Sequence, residues 1–339
     1  MSEMRYDPTT GDWVVFAPLR KLRPHSEPSP GSSSPADQGR MSCPFCPGNE
    51  NMTPPEIAAV RPDGGGDSDW LVRVIPNKFP ALRIEEDDHR QEDGPLFRHM
   101  GGCGAHEVIV ESPEHSLLLC QQPVEQIERV LKIAQSRFND LMRDHRFQSI
   151  IIFKNHGERA GTSLRHPHWQ IIATPVVPRM LRQRYEQATE HFDRTGDCLY
   201  CDLVSAELEA DKRIIVTNAH FVAFMPYASH LPFETWIVPL RQQATFGQVS
   251  PGEFPALAAI LKDVLLRLYV ALDNPDFNLT VDVAPRGDEE KAYYQWHIRV
   301  LPRLSTRAGF EMGSGMAINT VLPEEAARFL RNGRSSTGT

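Results

Sequence analysis

Two Cys-x-x-Cys pairs, Cys43-Pro44-Phe45-Cys46 and Cys198-Leu199-Tyr200-Cys201, each open a run of features that recurs in the same order along this chain. Arg213-Ile214-Ile215-Val216-Thr217-Asn218 answers Arg73-Val74-Ile75-Pro76-Asn77, and Phe233-Glu234-Thr235-Trp236-Ile237-Val238 answers His106-Glu107-Val108-Ile109-Val110. A helical stretch from Phe254 to Leu272 corresponds to one from Val124 to His145, and Asn278 to Val283 corresponds to Ile150 to Phe153. Last, Gln295-Trp296-His297-Ile298-Arg299 falls where His166-Pro167-His168-Trp169-Gln170 fell. Ordered self-similarity of this kind means that one supersecondary unit has been duplicated, which restricts the fold more than any local propensity. The apolar segments are short and rich in Val, Ile and Phe, as strands are, while Val124 to His145 places its apolar residues at helical spacing. The expected class is α+β, two tandem repeats over 1–180 and 195–339, each an antiparallel sheet with packed helices.

The segment His166-Pro167-His168-Trp169-Gln170 runs directly into the apolar Ile171-Ile172-Ala173. In an extended chain alternate side chains share a face, so His166, His168 and Gln170 point one way and Trp169 the other. Two imidazoles and an amide donor on one face suit phosphate chemistry. A neutral imidazole at position 168 can attack an acid-anhydride phosphorus, and Gln170 can donate to the oxygen that gathers charge. Just upstream, Asn155-His156-Gly157-Glu158-Arg159-Ala160-Gly161-Thr162-Ser163 offers two glycines for close backbone approach to an anion and a hydroxyl at Ser163. Arg20 and Arg23, after the strand-like Trp13-Val14-Val15-Phe16, are placed to pair with a diphosphate.

Six cysteines in 339 residues are too few for a disulfide scaffold, and four of them form the Cys-x-x-Cys pairs. Such pairs read first as metal sites. Zinc in a closed tetrahedral site needs two more N or S donors beside Cys43 and Cys46, and the candidates are His115 and His166. Sliding the repeats together puts Gln242 opposite His115 and Gln295 opposite His166. Neutral amides are poor zinc ligands, so the second pair is expected to hold a weakened site or none, at about one metal per chain.

A formal net charge of -8 argues against a nucleic-acid partner, which calls for a basic stripe. No apolar run approaches the length of a membrane span, and the start, Met1-Ser2-Glu3-Met4-Arg5, is too polar for a signal peptide. A cytoplasmic address is the expectation. The Pro/Ser/Gly-rich stretch from Pro24 to Arg40 and the acidic segment from Glu85 to Gly94 read as exposed loops.

Taken together, these residues resemble the galactose-1-phosphate uridylyltransferase family of the histidine-triad superfamily. The resemblance spans nearly the whole chain. It rests on Tyr6-Asp7-Pro8-Thr9-Thr10-Gly11-Asp12-Trp13, Arg20-Lys21-Leu22-Arg23-Pro24, Cys43-Pro44-Phe45-Cys46, Ser112-Pro113-Glu114-His115, His166-Pro167-His168-Trp169-Gln170, Pro232-Phe233-Glu234-Thr235 and Gly309-Phe310-Glu311. It implies two histidine-triad-like halves and ping-pong transfer of UMP between hexose 1-phosphates through a nucleotidyl-His168 intermediate. It further implies a nucleoside diphosphate hexose and a hexose 1-phosphate as substrates. Gln170, Ser163 and Gly161 would then contact the transferred phosphoryl group, Asn155 and Asn77 the nucleotide or phosphate, and Glu311 the hexose hydroxyls, within a homodimer whose subunits share their sites. The segment Gly309-Phe310-Glu311-Met312-Gly313-Ser314-Gly315 looks closer to ADP-glucose phosphorylases of the same superfamily. The alternative expectation is therefore an ADP-glucose or dinucleoside polyphosphate phosphorylase with the same intermediate.

Overall fold

The computed structural model describes residues 2–22, 42–66 and 69–332. Fifteen strands are described. They are β1 Glu3–Asp7, β2 Asp12–Phe16, β3 Ala58–Val60, β4 Val72–Pro76, β5 Gln91–Asp93, β6 Phe97–His99, β7 Ala105–Val110, β8 Ser149–His156, β9 His168–Thr174, β10 Ile214–Thr217, β11 Phe221–Phe224, β12 Thr235–Pro239, β13 Phe277–Asp282, β14 His297–Pro302 and β15 Ile318–Asn319. The α-helices are α1 Val124–Leu141, α2 Arg179–Thr195, α3 Leu199–Ala210, α4 Phe254–Ala271, α5 Gly309–Ser314 and α6 Pro323–Asn332.

Ten strands form one sheet in the order β10-β11-β12-β14-β13-β8-β9-β7-β4-β3, with every pairing antiparallel. The duplication is legible in that order: β3-β4-β7-β9-β8 runs inward from one edge and β10-β11-β12-β14-β13 from the other. The two meet where β8 pairs with β13, so the halves share a sheet instead of folding as separate bodies. This order corrects one pairing read from the sequence: Phe221–Phe224, not Arg213 to Asn218, is the counterpart of Val72–Pro76. Both candidates are short apolar runs, and only the ladder separates them.

One face of the sheet carries the main core. Ile127, Val130, Leu131 and Phe138 of α1, Leu257, Leu261 and Val264 of α4 and Ala327 and Leu330 of α6 pack on Val74, Ile109, Ile152, Trp169, Ile171, Leu279 and Ile298. Burial of this scale is the main stabilising contribution. On the opposite face the halves differ. The first half is covered by the Cys43–Cys46 turn with Trp70, Ile75, Val108 and Val110. In the second half α2 and α3 lie there, bringing Tyr185, Ala188, Leu199 and Tyr200 onto Val222, Phe224, Trp236 and Val238.

Helix α1 stops at Leu141 instead of running on to His145. The Arg286 guanidinium takes the main-chain carbonyls of Met142, Asp144 and Phe147, which turns the chain out of the helix. The acidic segment expected to be loop contains the exposed hairpin β5–β6, closed at Gly94 with φ 84°. Among the described residues no helix is long and apolar enough to cross a membrane.

Candidate active site and metal centre

Strand β9 lies between β7 and β8, and its alternation is the one read from the sequence. Trp169, Ile171 and Ala173 enter the helical core, while His168 and Gln170 project from the other face. The His168 Nδ1–H donates to the carbonyl oxygen of His166 at 2.8 Å, an assignment that leaves Nε2 as the lone-pair nitrogen. Phe45 sets its ring edge-on to His168, 5.2 Å between centroids. Burial, opposed by the bond to the His166 carbonyl and reinforced by Lys154, pushes the His168 pKa down to about 4. A ring this desolvated is neutral at pH 7, the form that attacks phosphorus.

Gln170 is held by a residue the sequence reading passed over. His106 Nδ1 accepts the Ala81 backbone N–H at 3.1 Å, so its Nε2 carries the proton and donates to Gln170 Oε1 at 2.7 Å. Asn77 stands beside both, its Nδ2 3.5 Å from the same Oε1. With Oε1 engaged, the Gln170 NH2 is the end left to donate to a ligand. His106 leaves a signal in the sequence only in hindsight, since it shares a strand face with Val108 and Val110 and so with the site.

Cys43, Cys46, His115 and His166 converge with their ligand atoms all within 4.8 Å of one another, and all four are buried. Cys46 Sγ lies 3.2 Å from His115 Nδ1 and 3.6 Å from His166 Nδ1; Cys43 Sγ lies 3.7 Å from His166 Nδ1. His166 Nε2 is 2.8 Å from the Ser112 carbonyl, which fixes the tautomer with Nδ1 free for a metal ion. Burial pushes the His166 pKa down to about 4. Two thiols, two imidazoles and an outer partner make a donor set that can hold a metal ion.

The remaining site residues are spread more widely. Gly161 sits in the left-handed region at φ 85°, and a Cβ there would have nothing within 4 Å, so the loop leaves open space beside it. At Gly157, with φ 84°, a side chain would collide with the Asp276 carboxylate. The glycine at 157 thus serves packing against Asp276 and not the approach of an anion. Ser163 is exposed on the same loop. Asn155 Oδ1 accepts from Asn278 Nδ2 at 2.8 Å across the β8–β13 junction. Glu311 is engaged locally, its Oε2 accepting the Ala308 N–H at 2.7 Å. Arg20 is half-buried in a short 3-10 helix over Pro18–Leu22, and Arg23 lies outside the described residues.

The second half carries the same layout with its contents exchanged. Matching registers, with Val108 facing Gln170 and Trp236 facing Arg299, equate those two pairs and make His297 the counterpart of His168. They also put Gln243, not Gln242, opposite His115. The sequence offset misjudged this by one residue because adjacent glutamines fit equally well. Gln295 Oε1 accepts the Gln243 backbone N–H at 2.7 Å, so the counterpart amide is spent on the main chain. Tyr200, between Cys198 and Cys201, packs 5.0 Å from His297 much as Phe45 packs on His168. Trp236, at the place of Val108, stacks on His297 at 4.5 Å. Arg299 Nε lies 2.9 Å from Asp282 Oδ2 in place of a free amide. This face is closed, with His297 fully buried. Elemental analysis of purified protein is expected to give close to one zinc per chain, and two equivalents would show that Cys198 and Cys201 have other partners.

Comparison with known proteins agrees with this geometry. Residues 1–178 match the family described as galactose-1-phosphate uridyl transferase, N-terminal domain, and residues 182–332 its C-terminal domain. The chain is 34% identical to the ADP-glucose phosphorylase of Arabidopsis thaliana over 97% of its own length and 92% of the relative. It is 29% identical to the galactose-1-phosphate uridylyltransferase of Thermotoga maritima over 98% of both. Its fold superposes on the crystal structure of an Arabidopsis thaliana ADP-glucose phosphorylase with bound ADP-glucose at a TM-score of 0.84, 32% identity and 98% coverage of each chain. The structure of a uridylyltransferase follows at a TM-score of 0.76 and 25% identity, covering 100% of each chain. With both family domains matched in order over almost its entire length, the chain belongs to the galactose-1-phosphate uridyl transferase family.

Proposed function

We propose that the chain is a nucleotidyltransferase that moves UMP between hexose 1-phosphates, as UDP-glucose:hexose-1-phosphate uridylyltransferases do. The observation that carries this is the neutral His168, with Nδ1–H bound to the His166 carbonyl and Nε2 left as the lone-pair nitrogen on the face of the sheet opposite the helical core. Nε2 attacks the α-phosphorus of the nucleoside diphosphate hexose. An N–P bond forms, the bond from the α-phosphorus to the bridging oxygen breaks, and hexose 1-phosphate leaves. A phosphate oxygen of the second hexose 1-phosphate then attacks the same phosphorus and frees His168. The Gln170 NH2, oriented by His106, donates to the non-bridging oxygen as charge develops, and Ser163 and the open backbone at Gly161 add donors. Asn77 and Asn155 hold the nucleotide side, Arg20 and Arg23 the diphosphate, and Glu311 the hexose.

The Cys43–Cys46–His115–His166 set has the donor chemistry of zinc, which when bound contributes rigidity to the turn and to the start of β9. The zinc is structural in this reading. Reduced thiol ligands call for a reducing compartment, which supports a cytoplasmic address, and none of the six cysteines forms a disulfide among the described residues. The assembly we propose is a homodimer with shared sites, acting on small phosphorylated sugars and not on nucleic acid or membrane. Each repeat, over 1–180 and 195–339, is one histidine-triad-like half, the first owning the chemistry.

The 34% identity to an ADP-glucose phosphorylase, with a TM-score of 0.84 to one holding ADP-glucose, favours a second reading. In it His168 takes AMP from ADP-glucose and inorganic phosphate collects it, giving ADP. A donor screen separates the two. Labelled UDP-glucose and ADP-glucose are offered in turn, and the adduct on His168 is located by mass spectrometry. UMP on His168 with hexose 1-phosphate as acceptor is the expected result; an adduct from ADP-glucose alone would select the second reading.

A further inference from the structure

On the core side of the sheet, directly behind the nucleophile, lies an ion pair that neither the metal centre nor the phosphate contacts account for. Lys154 from β8 and Glu111, just past the end of β7, stand on either side of β9, and their side chains meet beneath it in an ionic hydrogen bond. The side chains are only 2% and 0% exposed. The Lys154 ammonium also lies 3.5 Å from the carbonyl oxygen of His168, so the pair touches the main chain of the nucleophile itself. Glu111 is anchored in turn: its N–H donates to the Pro167 carbonyl, and its own carbonyl accepts from Gln126 Nε2 at 2.7 Å. Its Oε2 has no hydrogen-bond partner among the described residues.

Burying two charges costs several kcal/mol per ion, and an apolar pair of similar volume serves a fold as well or better. The duplicated half supplies the internal control. Lys154 faces Trp169 as Val281 faces Ile298, and continuing the β12–β14 register puts Pro239 at the place of Glu111. The repeat whose histidine is sealed away therefore builds the same ladder with two apolar residues. Only the repeat with His168 and the Cys43, Cys46, His115 and His166 donor set carries the charges, so the fold does not demand them.

We propose that Lys154 and Glu111 form a clamp across β9 that sets the His168 main chain, making Lys154 a positioning residue for the covalent step; this rests on His168 being the nucleophile. Through the His168 carbonyl the clamp fixes the direction in which the ring leaves the strand. The bond to the His166 carbonyl then fixes its rotation. Angular errors of this kind act on the rate of the covalent step and leave substrate affinity alone.

The test is the double variant Glu111→Leu/Lys154→Met, which removes both charges at similar volume. Metal content and melting temperature should stay those of the wild type. KM for the nucleotide sugar should stay within about twofold while kcat falls at least about tenfold. Nitrogen NMR of labelled histidine reads the same point without substrate: one Nδ1–H tautomer for His168 in the wild type, a mixture in the variant. Glu111→Gln, which keeps shape and a Lys154 hydrogen bond, is the second probe should the double variant fail to fold, and its kcat should fall about threefold or more at unchanged KM. Wild-type kcat together with a single tautomer in either variant overturns the clamp. Absence of any wild-type adduct would instead sink the nucleophile assignment, with the tautomer measurement still deciding whether the pair orients His168.

Discussion

Replacing His168 by Asn is expected to lower turnover by at least about 10^4-fold and to abolish the nucleotidyl adduct. The size follows from the role: without Nε2 there is no atom to carry the nucleotide between the two half-reactions, and the remaining donors only bind. The amide of Asn can still donate to the His166 carbonyl, which His168 Nδ1 now contacts at 2.8 Å, so the strand entry should survive. Loss of the ring beside Phe45 leaves only a small void, since Asn fills part of the volume, and the melting temperature should change little. Steady-state kinetics and intact-mass analysis after incubation with donor check this. Turnover above about a tenth of the wild type would remove His168 from the covalent step.

Replacing Cys46 by Ser is expected to cost both the metal and the activity. Cys46 Sγ faces the Nδ1 atoms of both His115 and His166, so it sits centrally in the donor set, and a hydroxyl is a far weaker zinc ligand than a thiolate. If free zinc stands about a thousandfold above its Kd, losing the site forfeits about 4 kcal/mol of stability. At about 2–4 °C per kcal/mol, the melting temperature should fall by roughly 10 °C. Activity should fall with it, because the carbonyl that orients His168 belongs to His166, one of the four residues that would hold the metal. Metal analysis, calorimetry and turnover on one preparation check the chain of effects. A variant that lost zinc but kept its kcat would show that the centre does not position the nucleophile.

Much of this site is written in local spacing. The alternation of His168, Trp169 and Gln170 needs only an extended chain, and the pairing of Cys43 with Cys46 needs only a tight turn. Among the described residues, His115 and His166 are the two histidines that the fold brings to Cys43 and Cys46. What escaped the sequence is contact across strands. His106 shows no pattern of its own, and becomes the partner of Gln170 only because β7 and β9 pair in one register. Lys154 and Glu111 read as ordinary charged residues at strand ends until β9 is laid between them. The equivalence of Gln243 with His115 likewise depended on a register, which a one-residue offset in sequence cannot settle.

The amino-acid order by itself determined that the chain is duplicated, that the sheet its two halves build is antiparallel and that one repeat keeps the imidazoles and thiols of the chemistry. These are consequences of period-two alternation and repeat order, which are properties of the chain. Only the tertiary structure decided what covers the histidine of each repeat. That outcome depends on Val108 against Trp236, and on α2 and α3 covering one half of the sheet while the Cys43–Cys46 turn covers the other, which are matters of volume and packing between distant segments. It also decided that the nucleophile is backed by a buried ion pair, since burial and charge pairing exist only once the strands are brought side by side.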